Sequence, residues 1–410
     1  MSVETTTATF ENPFRPGAGH PPPYLAGRVA EREEFERLLV QTTILENLVL
    51  TGLRGVGKTV LLESFKPIAL QRGWHWVGAD LSESVSVSEE SLALRILADL
   101  SVIGSRMTLR VEDGPGFAGL TTETKLDFKT LRRIYADTPG LVADKLKAVL
   151  EVVASATARE GKRGVIFAYD EAQTLADRQT EDEFSLSVLL DVFQSIQRKG
   201  IPFMLVLTGL PTLLPKLVEA RTFAERMFRV LTLDRLDEAD SRDAITKPIE
   251  HSHCPVRFDE ESVQLVSTQS GGYPYFIQFI CREVYDAFIQ SQRQTGAVSP
   301  VPMDGIIQKL DTDFFAGRWQ RATDRQRQLL WCIAHLEATG GEFSVQEVVE
   351  KTEEMLSKGF SGSHANQMLS ALGKAGLIYK NRWGKYSLAV PLFDRFILRQ
   401  ASTIEPAQLV

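Results

Sequence analysis

Three cysteines in 410 residues (Cys254, Cys281 and Cys332) are too few and too far apart for a disulfide framework or a Cys-x-x-Cys metal pair. A reducing cytoplasm is the simplest compartment for such a chain. No apolar run is long enough to span a bilayer, so no membrane is expected among the partners. Met1-Ser2-Val3-Glu4-Thr5 has neither the basic start nor the apolar stretch of a secretory signal. Positive charge is not in excess: 46 Lys and Arg face 53 Asp and Glu, a formal net charge of −7. That excludes a protein basic over its whole surface, but not a local basic patch. What is present is a globular composition, 43% hydrophobic and 24% charged, at a length that allows two or three domains.

Gly52 to Thr59 reads G-L-R-G-V-G-K-T, a complete GxxxxGK(S/T) phosphate loop. Leu48-Val49-Leu50 precedes it and Val60-Leu61-Leu62 follows, the strand–loop–helix setting that the motif needs. Its glycines let successive N–H groups of Arg54, Gly55, Val56 and Gly57 curl toward phosphate oxygens. The helix opening near Lys58, and running on through Val60, adds its positive N-terminal end. Lys58 is expected to reach the β/γ-phosphates and the Thr59 hydroxyl to hold Mg²⁺. A second segment, Gly164 to Gln173, reads G-V-I-F-A-Y-D-E-A-Q, an apolar strand ending in two acids. Ligands sit at the carboxyl ends of buried parallel strands. Asp170 then lies beside the phosphate loop to orient Mg²⁺, and Glu171 to polarise an attacking water.

Along the chain, 1–11 is expected to be a disordered tail and Asn12 to Arg28 an irregular Pro/Gly-rich stretch. Helices alternate with strands from there to about 235, which predicts a parallel sheet sandwiched by helices. Residues 104–140, with G-P-G at 114–116, are expected to be an irregular insertion. The organisation predicted is a 12–235 nucleotide domain, a 236–293 helical lid, a 294–319 linker, a 320–400 winged helix and a 401–410 tail. His251-Ser252-His253-Cys254 carries metal-ligand types, but with no second cluster it reads as a loop before Pro255.

In this order the pieces resemble the AAA+ P-loop ATPase superfamily. More narrowly, the chain is similar to its initiator-type (origin-recognition-like) members and to the STAND signalling ATPases. The carrying features are L-A-G-R at Leu25–Arg28, the phosphate loop, F-A-Y-D-E-A-Q, L-T-G-L-P-T-L from Leu207, and G-G-Y-P-Y-F-I-Q from Gly271. The resemblance implies an α/β ATPase that binds ATP and ADP with Mg²⁺. It places Leu25 and Arg28 against the adenine and Thr208 as a polar sensor of the γ-phosphate. The alternative for Thr208 is a strand-end residue capping its own turn. Arg226 or Arg229 falls where a neighbouring subunit's arginine finger is expected, in a homo-oligomer. Their alternative is an exposed arginine at a helix end. The lid turn Gly272-Tyr273-Pro274-Tyr275 has no arginine, and Arg282 is a distant substitute. Pro274 instead is similar to the STAND pattern, in which a proline packs near the nucleotide. That implies slow turnover, with ATP acting as a conformational switch.

Residues 356–400 hold seven Lys and Arg (Lys358, Lys374, Lys380, Arg382, Lys385, Arg395, Arg399) against one acid, Asp394. A helix opening at Ser361 offers Ser363, Asn366 and Gln367 for base-edge and phosphate contacts. With Lys374 and the wing residues Lys380, Arg382 and Lys385, this reads as a surface for duplex DNA. Two functions are expected from this: a DNA-associated ATPase in initiation, mobile-element or defence processes, or a signalling scaffold whose winged helix binds protein.

Overall fold

The computed structural model describes residues 11–17, 19–112, 121–252, 257–295, 301–336, 341–382 and 384–400. The expected tails (Glu11 apart), His253 and Cys254 lie outside these residues, as do Trp383 and the side chain of Arg382. The chain divides into two compact units. One is Arg28–Gly52 with Lys58–Leu233; the other is Met1–Gly27, Leu53–Gly57 and Asp234–Val410.

The Arg28–Leu233 unit is built on a parallel sheet. Its elements run α1 (Val29–Leu39), β1 (Asn47–Gly52), α2 (Lys58–Gln71), β2 (Trp74–Val77) and α3 (Glu89–Gly104). Then come β3 (Thr108–Glu112), β4 (Thr121–Lys125), α4 (Phe128–Asp137), α5 (Val142–Arg159), β5 (Gly164–Tyr169) and α6 (Ser185–Arg198). It closes with β6 (Phe203–Gly209), α7 (Leu213–Ala220), α8 (Ala224–Met227) and β7 (Phe228–Leu233). Five strands lie in the order β2-β5-β6-β1-β7, every pairing parallel. The three central strands β1, β5 and β6 are buried at every residue. Apolar runs such as Leu48-Val49-Leu50 therefore form them, because helices cover both sheet faces. The register sets Leu50 beside Thr208 and Tyr169 beside Leu207, which brings the carboxyl ends of β1, β5 and β6 together.

The stretch 104–140 differs from the expectation. It contains the antiparallel pair β3–β4, in register from Thr108↔Lys125 to Glu112↔Thr121, and then α4. Thr-Leu-Arg-Val-Glu and Thr-Thr-Glu-Thr-Lys supply the β-branched residues that a hairpin favours. Asp127 caps α4 by accepting from Thr130 N at 2.9 Å, and Leu126, Leu131 and Tyr135 bury its apolar side.

The second unit is mainly helical: α9 (Glu238–His251), α10 (Glu260–Ser270), α11 (Pro274–Thr295) and α12 (Met303–Leu310), with a π-helical turn at Asp311–Ala316 leading into α13 (Gly317–Trp319). Asp237 and Asp259 cap α9 and α10, each accepting from the backbone three residues on at 2.8 Å. Next come α14 (Asp324–Ala334), β8 (Phe343–Ser344), α15 (Val345–Met355), α16 (Gly362–Lys374), β9 (Ile378–Arg382), β10 (Lys385–Leu388) and α17 (Phe393–Arg399). The three short strands form an antiparallel sheet in the order β8-β10-β9. Capping boxes at Thr323/Gln326 and Ser344/Glu347 start α14 and α15. Phe315 stacks against both Phe393 and Phe396 at centroid distances of 6.0 and 5.2 Å, tying α17 to the π-helical turn.

Candidate functional site

The phosphate-loop sequence turns on glycine. Gly55 and Gly57 take φ of 80° and 91°, a region that other residues rarely adopt. The loop leads into α2 at Lys58, which is only 8% exposed and donates from Nζ to Gly52 O at 3.0 Å. An ammonium this enclosed, at the start of a helix, is set to meet an anion.

At the second residue of α2, Thr59 Oγ1 donates to Asp170 Oδ2 at 2.5 Å. Asp170 is 4% exposed at the end of β5. Its Oδ1 accepts from Thr208 Oγ1 of β6 and from Glu171 N at 2.7 Å. Thr59, Asp170 and Thr208 thus meet at one point from three elements, as the parallel register requires. Asp80 pairs alongside Asp170, and its carboxyl is held above the usual range by burial first, and then by the charges of Asp170 and Glu171. The hydroxyl of Thr51, buried at the end of β1, has no hydrogen-bond partner.

Hard oxygen donors from one hydroxyl and one carboxylate fit Mg²⁺, which keeps most of its waters and takes few protein ligands. Among the described residues, no group of three or more His, Cys, Asp or Glu forms a metal cage. Glu171 is exposed with a left-handed backbone, φ 52°. Gln173 Nε2 donates to its carboxylate. Sequence reasoning quoted Gln173 within the acidic motif but gave it no role, and it passed over Asp80. Both relations are tertiary, and the neighbouring sequence does not signal them.

The other candidates divide. Leu25 is half-buried, and Arg28 pairs with Glu31 at 3.2 Å. Val56 is buried, Arg54 exposed and Val60 half-buried. In the second unit, Tyr275 N donates to Gly55 O at 3.1 Å, and Pro274 Cγ lies 4.0 Å from the position a Cβ on Gly57 would take. The start of α11 therefore rests on the loop segment 53–57. Arg282 instead pairs with Glu283 at 2.8 Å and covers the Phe279 ring.

Arg226 and Arg229 lie at the amino end of β7, the sheet edge opposite Thr59 and Asp170, so a single unit does not bring them to that site. Arg229 is engaged by Glu34 at 2.7 Å. Arg226 lines an open hollow of about 340 Å³ with Ile44, Gln194, Phe223 and Met227.

In the C-terminal elements, Ser363, Asn366 and Gln367 are exposed on α16, as are Lys374 at its end and Lys380 on β9. Asn366 Oδ1 accepts from Tyr386 OH at 3.1 Å. Among the described residues, several of these basic side chains meet groups of their own chain. Lys385 pairs with Glu347 at 3.1 Å, and Arg399 with Asp311 at 2.5 Å. Arg395 donates to Thr268 O at 3.0 Å, at the end of α10.

Residues 312–397 match a family described as a domain of unknown function (DUF8462). Comparison with curated proteins gives no match. Among solved structures, the chain is similar to a Walker-type ATPase of Pyrococcus abyssi: 15% identity, TM-score 0.57, covering 91% of this chain and 96% of that one. It is also similar to the ORC2 protein of Aeropyrum pernix in its ADP form: 16% identity, TM-score 0.54, covering 95% and 96%. The fold is that of the AAA+ P-loop ATPases, a five-stranded parallel sheet flanked by helices. Within them it is the fold of the origin-recognition, initiator-type proteins.

Proposed function

We propose that this chain binds ATP with Mg²⁺ and hydrolyses it slowly, as a nucleotide-dependent switch that associates with duplex DNA. The observation that carries the reading is the meeting of Thr59, Asp170 and Thr208 behind the phosphate loop. Lys58 neutralises the β/γ-phosphates, and the loop amides hold them in line. Mg²⁺, when bound through Thr59 and Asp170, offsets charge on the phosphate oxygens. Glu171 accepts the proton of the attacking water, and Thr208 donates toward the γ-phosphate. The contact of Tyr275 N with Gly55 O supports a switch, because phosphate on the loop alters the segment on which α11 rests. Arg226 acts between subunits, where the assembly forms. We assign 320–400 as a winged helix, 236–293 as a lid and 294–319 as a linker, with Ser363, Asn366, Gln367, Lys374, Lys380 and Arg382 facing DNA.

The engagement of Lys385, Arg395 and Arg399 by their own chain favours a second reading, a STAND-like scaffold whose winged helix binds protein. ATP turnover and oligomer mass, measured together with and without duplex DNA, separate the two. Stimulation of both by DNA supports the first; a nucleotide-bound monomer with near-zero turnover and no DNA response supports the second. Lys58→Ala abolishes nucleotide binding in either case, and tight binding retained in that variant overturns the assignment of the site.

A further inference from the structure

We propose that the backbone amide of Tyr275, braced by Phe314, is a positioning group for the phosphate loop, fixing the Gly55–Val56 peptide in the orientation that binds phosphate. This role deepens the nucleotide-switch reading above and rests on it. Residues 53–57, 275 and 314 belong to one compact unit. Tyr275 is the second residue of α11, in the turn whose N–H groups have no acceptor within the helix. Pro274 has no N–H, so Tyr275 carries the first donor of the helix. That donor goes to Gly55 O at 3.1 Å. The approach needs a glycine: a Cβ on Gly55 would lie 3.1 Å from Tyr275 Cβ. The half-buried Tyr275 ring is held in turn by Phe314, at a centroid distance of 5.1 Å. Phe314 lies in the π-helical turn Asp311–Ala316, a form of helix found most often at functional sites. The Arg318 guanidinium lies 4.2 Å from the Phe314 ring and donates to the Phe314 carbonyl.

The consequence follows from the planarity of the peptide. In a trans peptide the C=O and the N–H point in opposite directions. With Gly55 O committed to α11, the Val56 N–H is turned away from α11. Gly55 has no side chain to restrict its ψ, so the loop alone does not choose this orientation. The bond from Tyr275 removes that freedom before nucleotide arrives, and a site ordered in advance binds more tightly. Such coupling is reciprocal. Phosphate that holds the Val56 N–H also holds Gly55 O on Tyr275, and so seats α11 and the π-helical turn packed on it. Nucleotide affinity is therefore set in part by residues of the 312–397 segment, far along the chain from the loop.

Variants of the full chain test this. Tyr275→Pro removes the donor, because proline fits the first helical turn but has no N–H to give. The Kd for a non-hydrolysable ATP analogue is expected to weaken about tenfold, the scale of one hydrogen bond to a charged group. Tyr275→Ala keeps the amide and loses the brace. It and Phe314→Ala are each expected to weaken binding about threefold, the scale of one aromatic pair. Hydrogen exchange at the Tyr275 amide gives the readout that packing alone would not move. A first-turn amide ordinarily exchanges freely. This one is expected to be protected, about tenfold more so with the analogue bound, and less so in Phe314→Ala. A folded Tyr275→Pro that binds the analogue at the wild-type Kd overturns the proposal. An equal loss in Tyr275→Ala and Tyr275→Pro assigns the effect to the ring and overturns the role of the amide. Where Tyr275→Pro does not fold, exchange decides: protection at Tyr275 that the analogue leaves unchanged overturns the coupling. If the wild-type chain binds no analogue while the Tyr275 amide is protected, the nucleotide reading falls and the contact is packing alone.

Discussion

Thr208→Val removes one hydroxyl and keeps the shape of the side chain. Thr208 is 0% exposed, and in register with Leu50 of β1, so no water replaces the lost donor. Its hydroxyl donates to Asp170 Oδ1. A hydrogen bond to an ionised acceptor contributes about 1.5–3 kcal/mol. Asp170 keeps Thr59 Oγ1 at 2.5 Å and Glu171 N at 2.7 Å, so the loss belongs at the lower end, about 1.5 kcal/mol. For a unit of this size, each kcal/mol moves Tm by about 2–4 °C, which gives a fall of about 3–6 °C. Differential scanning calorimetry of the nucleotide-free protein reads this directly.

The same substitution tests the sensor role. A donor that meets the γ-phosphate in the transition state contributes about 10²–10³ in kcat where such groups have been removed singly. Thr208→Val is expected to lose at least about tenfold in kcat at unchanged ATP affinity. Thr208→Ser keeps the hydroxyl and is expected to keep most of the turnover. A lowered Tm with normal kcat makes Thr208 a cap of its own strand end and nothing more. A Tm within about 1 °C of wild type refutes the energetic reasoning, because the buried bond to Asp170 then contributes nothing.

Asn47→Ala should be the more damaging change. The buried amide of Asn47 donates to Gln197 Oε1 and Met227 O, both at 3.2 Å, and accepts from Gln197 Nε2 and Leu205 N, both at 2.8 Å. Orphaning these groups costs about 3–5 kcal/mol in urea unfolding, and a loss below about 1 kcal/mol contradicts the burial argument. Charge reversal of Lys374 and Lys380 together is expected to reduce the salt slope of DNA binding by about 2, and an unchanged slope removes this face from the DNA contact. Glu347 is held down to about 2 by its bonds to Ser344 first, and then by Lys385. A depressed carboxylate stabilises above its unfolded value of 4.5, and that contribution is lost as pH falls toward about 2. The stability gap between wild type and Glu347→Gln should therefore be present at pH 7 and shrink between pH 4.5 and 2; a gap independent of pH contradicts the assignment.

How much of this was legible in the sequence depends on range. The strands β1, β5 and β6 were readable because a strand buried on both faces must be a continuous apolar run. The helix starts at Asp237, Asp259 and Ser344 were readable because capping is a contact between residues three apart. The β3–β4 pair was not, because Gly and Pro at 114–116 dominate the local signal and hide the alternation on either side. The short helix α17 was not, because Phe315 of a distant turn supplies the surface it packs on. In the candidate site, the glycines and Lys58 were readable from spacing, since the loop is one unbroken segment. Sequence could not show that Arg229 meets Glu34, that Lys385 meets Glu347, or that Gln173 reaches both Glu171 and Leu210 N.

Those tertiary pairings change what the C-terminal charge can do. Counted along the sequence, seven basic residues stand ready for phosphates. Lys385 and Arg399 already face carboxylates, and Arg395 faces backbone carbonyls. Lys358, Lys374 and Lys380 are exposed. With Arg382 beside them, neutralising four phosphates gives a salt slope of only about −4, below that of proteins that hold a duplex as single units at physiological salt. DNA association in the proposed reading therefore depends on several copies sharing one duplex, where effective concentration multiplies modest contacts. It follows that DNA affinity should rise steeply with protein concentration, and that Arg226→Ala should weaken DNA-stimulated turnover without changing the binding of a single subunit. A simple one-to-one isotherm, with tight binding at about 150 mM salt, defeats this argument by showing that one winged helix suffices.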